Sequence, residues 1–176
     1  AVLKKLPILY VVQDNEWGIS VSAEEGRAMD AFEFAEGFKG LNKIRVDGTD
    51  FFQSSDTMKK EINHVREHRK PCLVHAKVSL LKHDASGVRK EFYRSAEDLA
   101  AHAEHDPLPK LKKSLLGLGI GENELKEIEA RAKNEVTEDF NRAVQSQEPD
   151  PAKVEEYIFA PTLVTEEKGE RSPGGK

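Results

Sequence analysis

Hard oxygen donors follow the first apolar segment of the chain. Residues 7–12 are β-branched, aromatic or otherwise apolar without alternation, which predicts a strand buried on both faces. Asp14 and Asn15 come just after this strand, and ligands of open α/β sheets bind at the carboxyl ends of strands. Their side-chain oxygens suit Mg²⁺, while Trp17 and residues 18–20 offer an apolar floor typical of a cofactor pocket. On spacing alone, a polar loop that merely ends a strand is an open alternative.

Other residues with metal-binding or nucleophilic side chains are weaker candidates. His64 and His68 are four residues apart on a predicted helix, a spacing that can hold zinc, but no third ligand is evident. His102 and His105 are expected to be exposed. Cys72 is the only cysteine, which excludes an internal disulfide and any multi-cysteine zinc or iron–sulfur site. Its place within a strand favours a small buried hydrophobe over a nucleophile.

Three apolar segments predict the sheet that positions these side chains. Strands are expected at 7–12, 43–46 and 71–78, with helices at 29–38 and 57–68 between them. Alternating strands and helices predict an α/β fold with a parallel sheet and flanking helices. Three strands are few for this architecture, which suggests missing neighbours. The N-cap candidates for the second helix are Ser54, Ser55 and Asp56.

The second half of the chain predicts a long loop followed by helices. The apolar pattern fails from 80 to 93, and loops of this length are often functional. Ser95 is expected to cap a helix ending near residue 104, and Asp106 to cap the next one. Apolar residues spaced by three and four predict a long amphipathic helix over 122–145. The residues expected to face inward in the middle helix are Leu108, Leu111 and Leu115.

Composition excludes some partners and suggests a piece of a longer protein. The 176 residues carry a formal net charge of −5, so the basic excess of a general nucleic-acid or anionic-membrane surface is absent. No apolar run approaches the roughly 20 residues of a membrane span. No charged-then-apolar leader opens the chain, so a cytoplasmic location is expected. The missing Met at the start and the Gly- and Pro-rich residues 161–176 predict a fragment that ends in a tether.

Four stretches together resemble one enzyme family. Residues 6–20, Leu-Pro-Ile-Leu-Tyr-Val-Val-Gln-Asp-Asn-Glu-Trp-Gly-Ile-Ser, resemble the second half of the thiamine diphosphate motif in the alpha subunits of 2-oxo acid dehydrogenases. In that family a strand ends in Asn-Asn, followed by a variable residue, an aromatic and an Ile-Ser or similar pair. Residues 44–50, 93–95 and 105–107 agree with the family in the same order. The similarity is greater to the branched-chain (2-oxoisovalerate) type than to the pyruvate type.

The resemblance implies roles for residues at the end of the first strand. Asn15 matches the second Asn of the pair and would bind magnesium through its side chain. Trp17 matches the aromatic position whose backbone carbonyl completes the metal site. Gln13 would lie near the diphosphate, and Ile19 and Ser20 would line the cofactor wall.

The chain also departs from the family pattern. Asp14 replaces the first Asn, which places a second negative charge close to the metal or behind its ligands. The long loop carries His83-Asp84 where the family has a His-His or Gly-His pair. His83 would serve as the catalytic and cofactor-contacting histidine if the loop shifts by one residue, and a solvated loop histidine is the alternative. Asp84 cannot serve, since its carboxylate would repel the diphosphate.

The family implies a function and partners for the whole protein. The expected activity is oxidative decarboxylation of a 2-oxo acid, with thiamine diphosphate and Mg²⁺, and acyl transfer to lipoamide. Expected partners are a beta-type dehydrogenase part in the same or a separate chain, a lipoyl-bearing acyltransferase and further copies of the chain. Residues 1–147 would form the C-terminal part of the alpha domain, a partial thiamine diphosphate-binding fold, with 148–176 as an extended linker or tail. The Pro- and Gly-rich residues after Ala160 suit a connector to a beta part fused in the same polypeptide.

The sequence also supports predictions about the activity of the isolated fragment and about its functional class. The family's Gly-Asp-Gly, whose Asp binds the metal, lies upstream of this chain, so the fragment is expected to be inactive alone. A non-catalytic interaction domain is the alternative. A Rossmann-type enzyme is disfavoured because no G-x-G-x-x-G follows a strand.

Overall fold

A computed structural model of the chain describes residues 1–84, 86–156 and 158. The elements up to the last strand are β1 (Leu9–Asp14), β2 (Trp17–Gly18), β3 (Val21–Ser22), α1 (Ala23–Gly26), α2 (Ala31–Phe34), β4 (Asn42–Asp47), α3 (Phe51–His68) and β5 (Cys72–Lys77). They are followed by α4 (Ala96–Glu104), α5 (Pro107–Gly117) and α6 (Glu122–Val144). Short 3₁₀ turns lie at Ala35–Gly37, Lys90–Phe92 and Pro151–Lys153.

The main sheet has three parallel strands in the order β1-β5-β4. Its register places Asp14 and Asp47 on either side of Lys77, so the carboxyl ends of all three strands lie at one edge. A two-stranded antiparallel ribbon, β2-β3, follows β1 directly. The predicted α/β class with a parallel sheet and flanking helices is therefore confirmed.

The two faces of the sheet differ in polarity. Alternate residues of a strand project from opposite faces. One face of β4 and β5 packs with Val65 of α3 into an apolar core, and the other carries polar side chains toward the carboxyl edge. The buried members of this core are Val46, Val65, Cys72, Val74 and Ala76.

The first strand is less buried than its composition predicts. Among the described residues β1 has β5 as its neighbour on one side and none on the other, and Tyr10 and Val11 are 42% and 47% exposed. The middle strand β5 is instead the strand buried almost throughout, because it has a neighbour on both sides. The strand also extends to Asp14, beyond the end expected from the sequence.

Two helices near the sheet begin at other residues than the sequence predicts. α3 starts at Phe51 and not at residue 57, because Asp50 caps it by accepting a hydrogen bond from Gln53 N at 3.0 Å. The predicted caps lie inside the helix. The expected helix over 29–38 is shorter, with Asp30 as the N-cap of α2 and a 3₁₀ turn completing the segment.

The caps of the helices after β5 agree with those predicted from the sequence. Ser95 caps α4 and Asp106 caps α5, each through a side-chain oxygen that accepts a backbone N–H. The long helix α6 ends within one residue of its predicted end. The expectation that Leu108 faces inward is wrong, since it is 73% exposed, whereas Leu111 and Leu115 are half-buried.

The chain divides into two compact units, Ala1–Leu125 and Lys126–Lys176. The first unit contains both sheets and the helices up to α5, and the described part of the second contains most of α6 and the last 3₁₀ turn. The expected boundary between residues 147 and 148 stays a prediction, and the predicted tether at 161–176 lies outside the described residues. Within the described part of the chain, no helix is both long and apolar enough to cross a bilayer.

Candidate functional site

The turn after β1 is fixed by two consecutive side-chain caps. Asp14 Oδ1 accepts a hydrogen bond from Glu16 N at 3.0 Å, and Asn15 Oδ1 accepts one from Trp17 N at 3.0 Å. Glu16 and Ile19 have φ values of 66° and 59°, in the left-handed region that non-glycine residues rarely adopt. Strain of this kind concentrates at functional sites, where surrounding contacts hold it in place.

The Asp14 carboxylate is the centre of a buried ion-pair network. Arg27 Nη2 lies 2.9 and 2.7 Å from its two oxygens, His75 Nε2 lies 2.9 Å away and Lys77 Nζ 3.3 Å away. Burial raises the pKa of Asp14, but hydrogen bonds from Arg27, the Glu16 amide, His75 and Lys77 outweigh it and hold the pKa well below its usual range. Asp14 is therefore ionised, and both its oxygens are occupied by protein donors.

A second carboxylate faces the same histidine. Asp30 Oδ2 lies 4.0 Å from His75 Nδ1 and accepts a hydrogen bond from Arg45 at 2.8 Å. One ligand atom each from Asp14, Asp30 and His75 lie within 4.8 Å of one another, a separation that a metal ion could span. However, both carboxylates already pair with arginine or lysine side chains, which would repel a divalent cation. The cluster is better described as an internal network of ion pairs.

The end of the long loop is fastened to the same turn. The Trp17 and Tyr93 rings have centroids 5.6 Å apart, and the Arg94 guanidinium lies 5.2 Å from the Trp17 ring centroid. Arg94 also donates to the Leu80 carbonyl at 2.8 Å and pairs with Asp98. Arg94 Nη2 and Tyr93 Oη are buried without a hydrogen-bond partner among the described residues. Because an unpaired buried polar group costs about 1–3 kcal/mol, such atoms mark places where a further polar group fits.

Three of the residues chosen from the sequence line one cleft. Gln13, Asn15 and Trp17 contribute to a cleft of ≈ 310 Å³ formed by the turn and the β2-β3 ribbon. Ile19 and Ser20 lie between β2 and β3, where Ile19 is 56% exposed and Ser20 is also exposed. The structure thus brings together the donors near the strand end and leaves the two wall residues open to solvent.

A neighbouring cleft of ≈ 350 Å³ lies between the ends of β4 and β5 and helix α4. His102 lines it and accepts a hydrogen bond from Leu80 N at Nδ1, at 2.9 Å. Burial, and then the nearby charge of Arg94, lower the pKa of His102 below its usual value. His102 is therefore neutral at pH 7 and serves the loop as a hydrogen-bond acceptor, a role that the sequence did not indicate.

His83 lies in the long loop and is exposed. Its Nδ1 accepts a hydrogen bond from Lys90 N at 3.2 Å, which holds the ring against its own loop. A catalytic role for His83 stays a prediction.

Sequence reasoning missed the residues that surround Asp14. His75 and Lys77 are polar residues at alternate positions of an otherwise apolar strand, and that spacing alone signals a polar row on one face of a buried sheet. Arg27 and Asp30 carry no comparable signal, because their contacts depend on how the segment after β3 folds back. Arg94 was recognised only as part of a motif, without a role.

Comparison with known proteins identifies the family. The family model described as dehydrogenase E1 component matches residues 1–152. The pyruvate dehydrogenase E1 component subunit alpha of Porphyra purpurea is 31% identical over 162 residues, covering 91% of this chain and 46% of the relative. That of Rickettsia bellii is 30% identical over 167 residues, covering 93% and 49%. The mitochondrial protein of Schizosaccharomyces pombe is 30% identical over 166 residues, covering 93% and 40%.

The lengths and sources of these relatives limit what the match establishes about this chain. The chain spans about half the length of the curated relatives it matches, and these include bacterial, mitochondrial and chloroplastic proteins. A cytoplasmic location therefore stays a prediction. The family model covers most of the chain, including the strand, the turn and the loop described above. The chain belongs to the dehydrogenase E1 component family.

Proposed function

We propose that this chain is part of the thiamine diphosphate-dependent, decarboxylating component of a 2-oxo acid dehydrogenase complex. The single observation that carries the proposal is the doubly capped turn at the carboxyl end of β1, in a chain whose family match begins at residue 1. The names of its relatives favour pyruvate as the 2-oxo acid. A branched-chain substrate, which the sequence motif favours, is compared directly in the test below.

The donor atoms of the turn fit a magnesium ion. Asn15 Oδ1 uses one lone pair to accept from Trp17 N, which leaves its second lone pair for a cation. The Trp17 carbonyl is the second donor, and Mg²⁺ typically takes such oxygens together with substrate phosphates and waters. When bound, thiamine diphosphate would supply a nucleophile for the 2-oxo carbonyl and an electron sink for the pair that remains when CO₂ departs.

The chain's own residues hold this end of the site in shape. Asp14 fixes the amide of Glu16, while Arg27 and Lys77 neutralise the Asp14 carboxylate so that it does not repel a diphosphate. The Trp17 ring packs against Tyr93 and so joins the turn to the end of the long loop. Gln13 is proposed to contact the diphosphate.

The remaining assignments complete the proposed site. Ile19 and Ser20 are exposed, so the proposal gives them a role at the cofactor wall only in the assembled enzyme. His83 would meet the cofactor or the incoming lipoyl group after movement of its loop. A beta-type dehydrogenase part, a lipoyl-bearing acyltransferase and further copies of the chain are the proposed partners.

Cofactor titration of the full-length protein with its beta part tests the proposal. Asn15→Ala removes a proposed magnesium donor and should weaken Mg²⁺-dependent binding of thiamine diphosphate about tenfold or more. Asn63→Ala, at an exposed position of α3, is the matched control and should bind like the wild type. Turnover of pyruvate and of 3-methyl-2-oxobutanoate then compares the two substrate types. No Mg²⁺-dependent binding by the wild type would favour the non-catalytic interaction domain instead, whereas normal binding by Asn15→Ala would show that Asn15 is not a magnesium ligand.

A further inference from the structure

His75 lies in the middle strand and faces two carboxylates. Its side chain is fully buried (0% exposed), and its Nε2 lies 2.9 Å from Asp14 Oδ2. Its Nδ1 has no hydrogen-bond partner among the described residues and lies 4.0 Å from Asp30 Oδ2. Burying an imidazole in an otherwise apolar strand is costly unless polar contacts compensate for the lost water. The compensation here comes chiefly from Asp14.

The sheet register explains why these groups meet. His75 and Lys77 are two residues apart in β5 and therefore project from the same face. Asp14 is paired with Lys77 in the neighbouring strand, so its carboxylate lies beside both side chains. Arg27 and Asp30, from the segment between β3 and α2, cover this face. The cluster is thus built from the sheet and from the segment that packs on it.

A chain of contacts leads from His75 to the turn. Nε2 of His75 holds Asp14, and the other oxygen of Asp14 accepts the amide of Glu16, a residue with left-handed backbone. The next cap in sequence joins Asn15 to Trp17 N. Any shift of the Asp14 carboxylate would therefore move the backbone that carries both proposed magnesium donors.

Three side chains donate to Asp14, and they differ in exposure. The Arg27 and Lys77 side chains are 35% and 44% exposed, so water can compete for their hydrogen bonds. His75 alone among these three is inaccessible to solvent. A short, ring-shaped side chain within a buried strand has little freedom to move. It therefore sets the position of the carboxylate, while the two longer cations balance its charge.

We propose that His75 is a positioning residue that orients Asp14, and through Asp14 the turn of Asn15 and Trp17. This inference rests on the proposed function for its consequence in cofactor binding. The orienting contact itself is a property of the chain and can be measured without cofactor.

Two substitutions at His75 in the full-length protein with its beta part test this role. His75→Leu fills similar space without a donor, whereas the amide nitrogen of His75→Gln can replace Nε2. His75→Leu should weaken Mg²⁺-dependent thiamine diphosphate binding about tenfold or more, and His75→Gln should keep most of the affinity. The cofactor-free readout is the ¹⁹F signal of 5-fluorotryptophan at position 17, assigned by its loss in Trp17→Phe. It should shift in His75→Leu and stay near its wild-type position in His75→Gln.

Val74→Ala is the matched control, because Val74 is the adjacent residue, equally buried and on the opposite face of β5. It should lower the melting temperature without shifting the Trp17 signal. If His75→Leu behaves in the same way, the positioning role is wrong. If the wild type binds no cofactor, the proposed function fails, and the ¹⁹F comparison still decides the role of His75. Should His75→Leu not fold, Asp14→Asn must shift the Trp17 signal, and an unchanged signal would overturn the inference.

Discussion

Asp14 shows how one residue that departs from a family pattern is accommodated by its neighbours. A carboxylate beside a proposed diphosphate site would ordinarily oppose binding. Here it is buried and paired with Arg27 and Lys77, and it caps the next turn of backbone. Its charge is thereby used to hold the turn and is not presented to a ligand. The substitution is consistent with the proposed site because its compensating partners lie in the same chain.

Asp47, at the end of β4, provides a test of pH dependence. Burial raises its pKa, but hydrogen bonds from Thr49 and Lys110 outweigh it and lower the pKa to about 2. A lowered pKa means that the ionised form stabilises the fold above the ordinary carboxyl pKa, and that this contribution is lost as the pH falls toward about 2. After allowance for its partial exposure, we expect about 1 kcal/mol. Chemical denaturation at pH 6 and pH 2.5 should show that Asp47→Asn costs clearly less stability at pH 2.5 than at pH 6.

Asp56→Asn is the control for this prediction, since Asp56 is exposed on α3. It should change the free energy of unfolding little at either pH. An Asp47→Asn penalty that is the same at both pH values would mean that the charge of Asp47 does not stabilise the fold.

Individual residues differ in how far the sequence predicts their state. Cys72 was expected to be a small buried hydrophobe, and this is confirmed: it is fully buried, and burial, then its contact with Glu61, raise the pKa of its thiol to about 12. Asn15 could be selected because it follows a strand directly. His75 could not be selected as a partner of Asp14, because the two are 61 residues apart and meet only through strand pairing.

At the scale of elements, the limits of β4, β5 and α6 are predictable from the sequence, whereas the burial of a strand is not. β4, β5 and α6 lie within one or two residues of their predicted limits, since each has a clear apolar pattern. The start of α3 was misplaced because several capping residues occur in sequence, and only tertiary structure selects Asp50. The exposure of β1 depends on its neighbours in the sheet, which its own composition does not encode.

The turn between β4 and α3 requires glycine at position 48. A Cβ placed there would lie 2.5 Å from Val78 Cγ1 and 2.7 Å from the Lys77 carbonyl oxygen. Gly48 N also donates to that carbonyl at 2.7 Å, so the two backbones cannot separate without losing the bond. We expect Gly48→Ala to reduce the free energy of unfolding by about 2 kcal/mol, measured by chemical denaturation.

Gly37→Ala is the matched control, because a Cβ at Gly37 has nothing within 4 Å. It should alter stability by no more than about 0.5 kcal/mol. Equal effects of the two substitutions would show that close approach at Gly48 is not what limits the turn.

At the scale of the whole molecule, a large share of the apolar surface is uncovered. Tyr10 on the edge strand and Leu3, Phe34 and Phe38 line an open cleft of ≈ 670 Å³. Exposed apolar patches and unpaired strand edges favour association with other chains. This surface agrees with a chain that spans about half the length of its relatives.

We therefore expect the 176-residue chain to self-associate when produced by itself. Sedimentation velocity should show larger species as concentration rises, and Val11→Lys on the edge strand should reduce them. Val136→Lys, on the exposed face of α6, adds the same charge away from the sheet. A chain that stays monomeric at every concentration, or equal effects of both substitutions, would contradict association through the sheet edge.

The strand order also sets when the fold can form during synthesis. Among the described residues, β1 and β4 do not pair with each other, and each pairs with β5, the last of the three strands to be synthesised. Neither can gain its parallel partner until Lys77 has been made, so the contacts around Asp14 close late and across a long stretch of chain. Until then β1 and β4 lack the neighbour that both share in the folded sheet, so a chaperone that protects these two segments has to act over this whole interval.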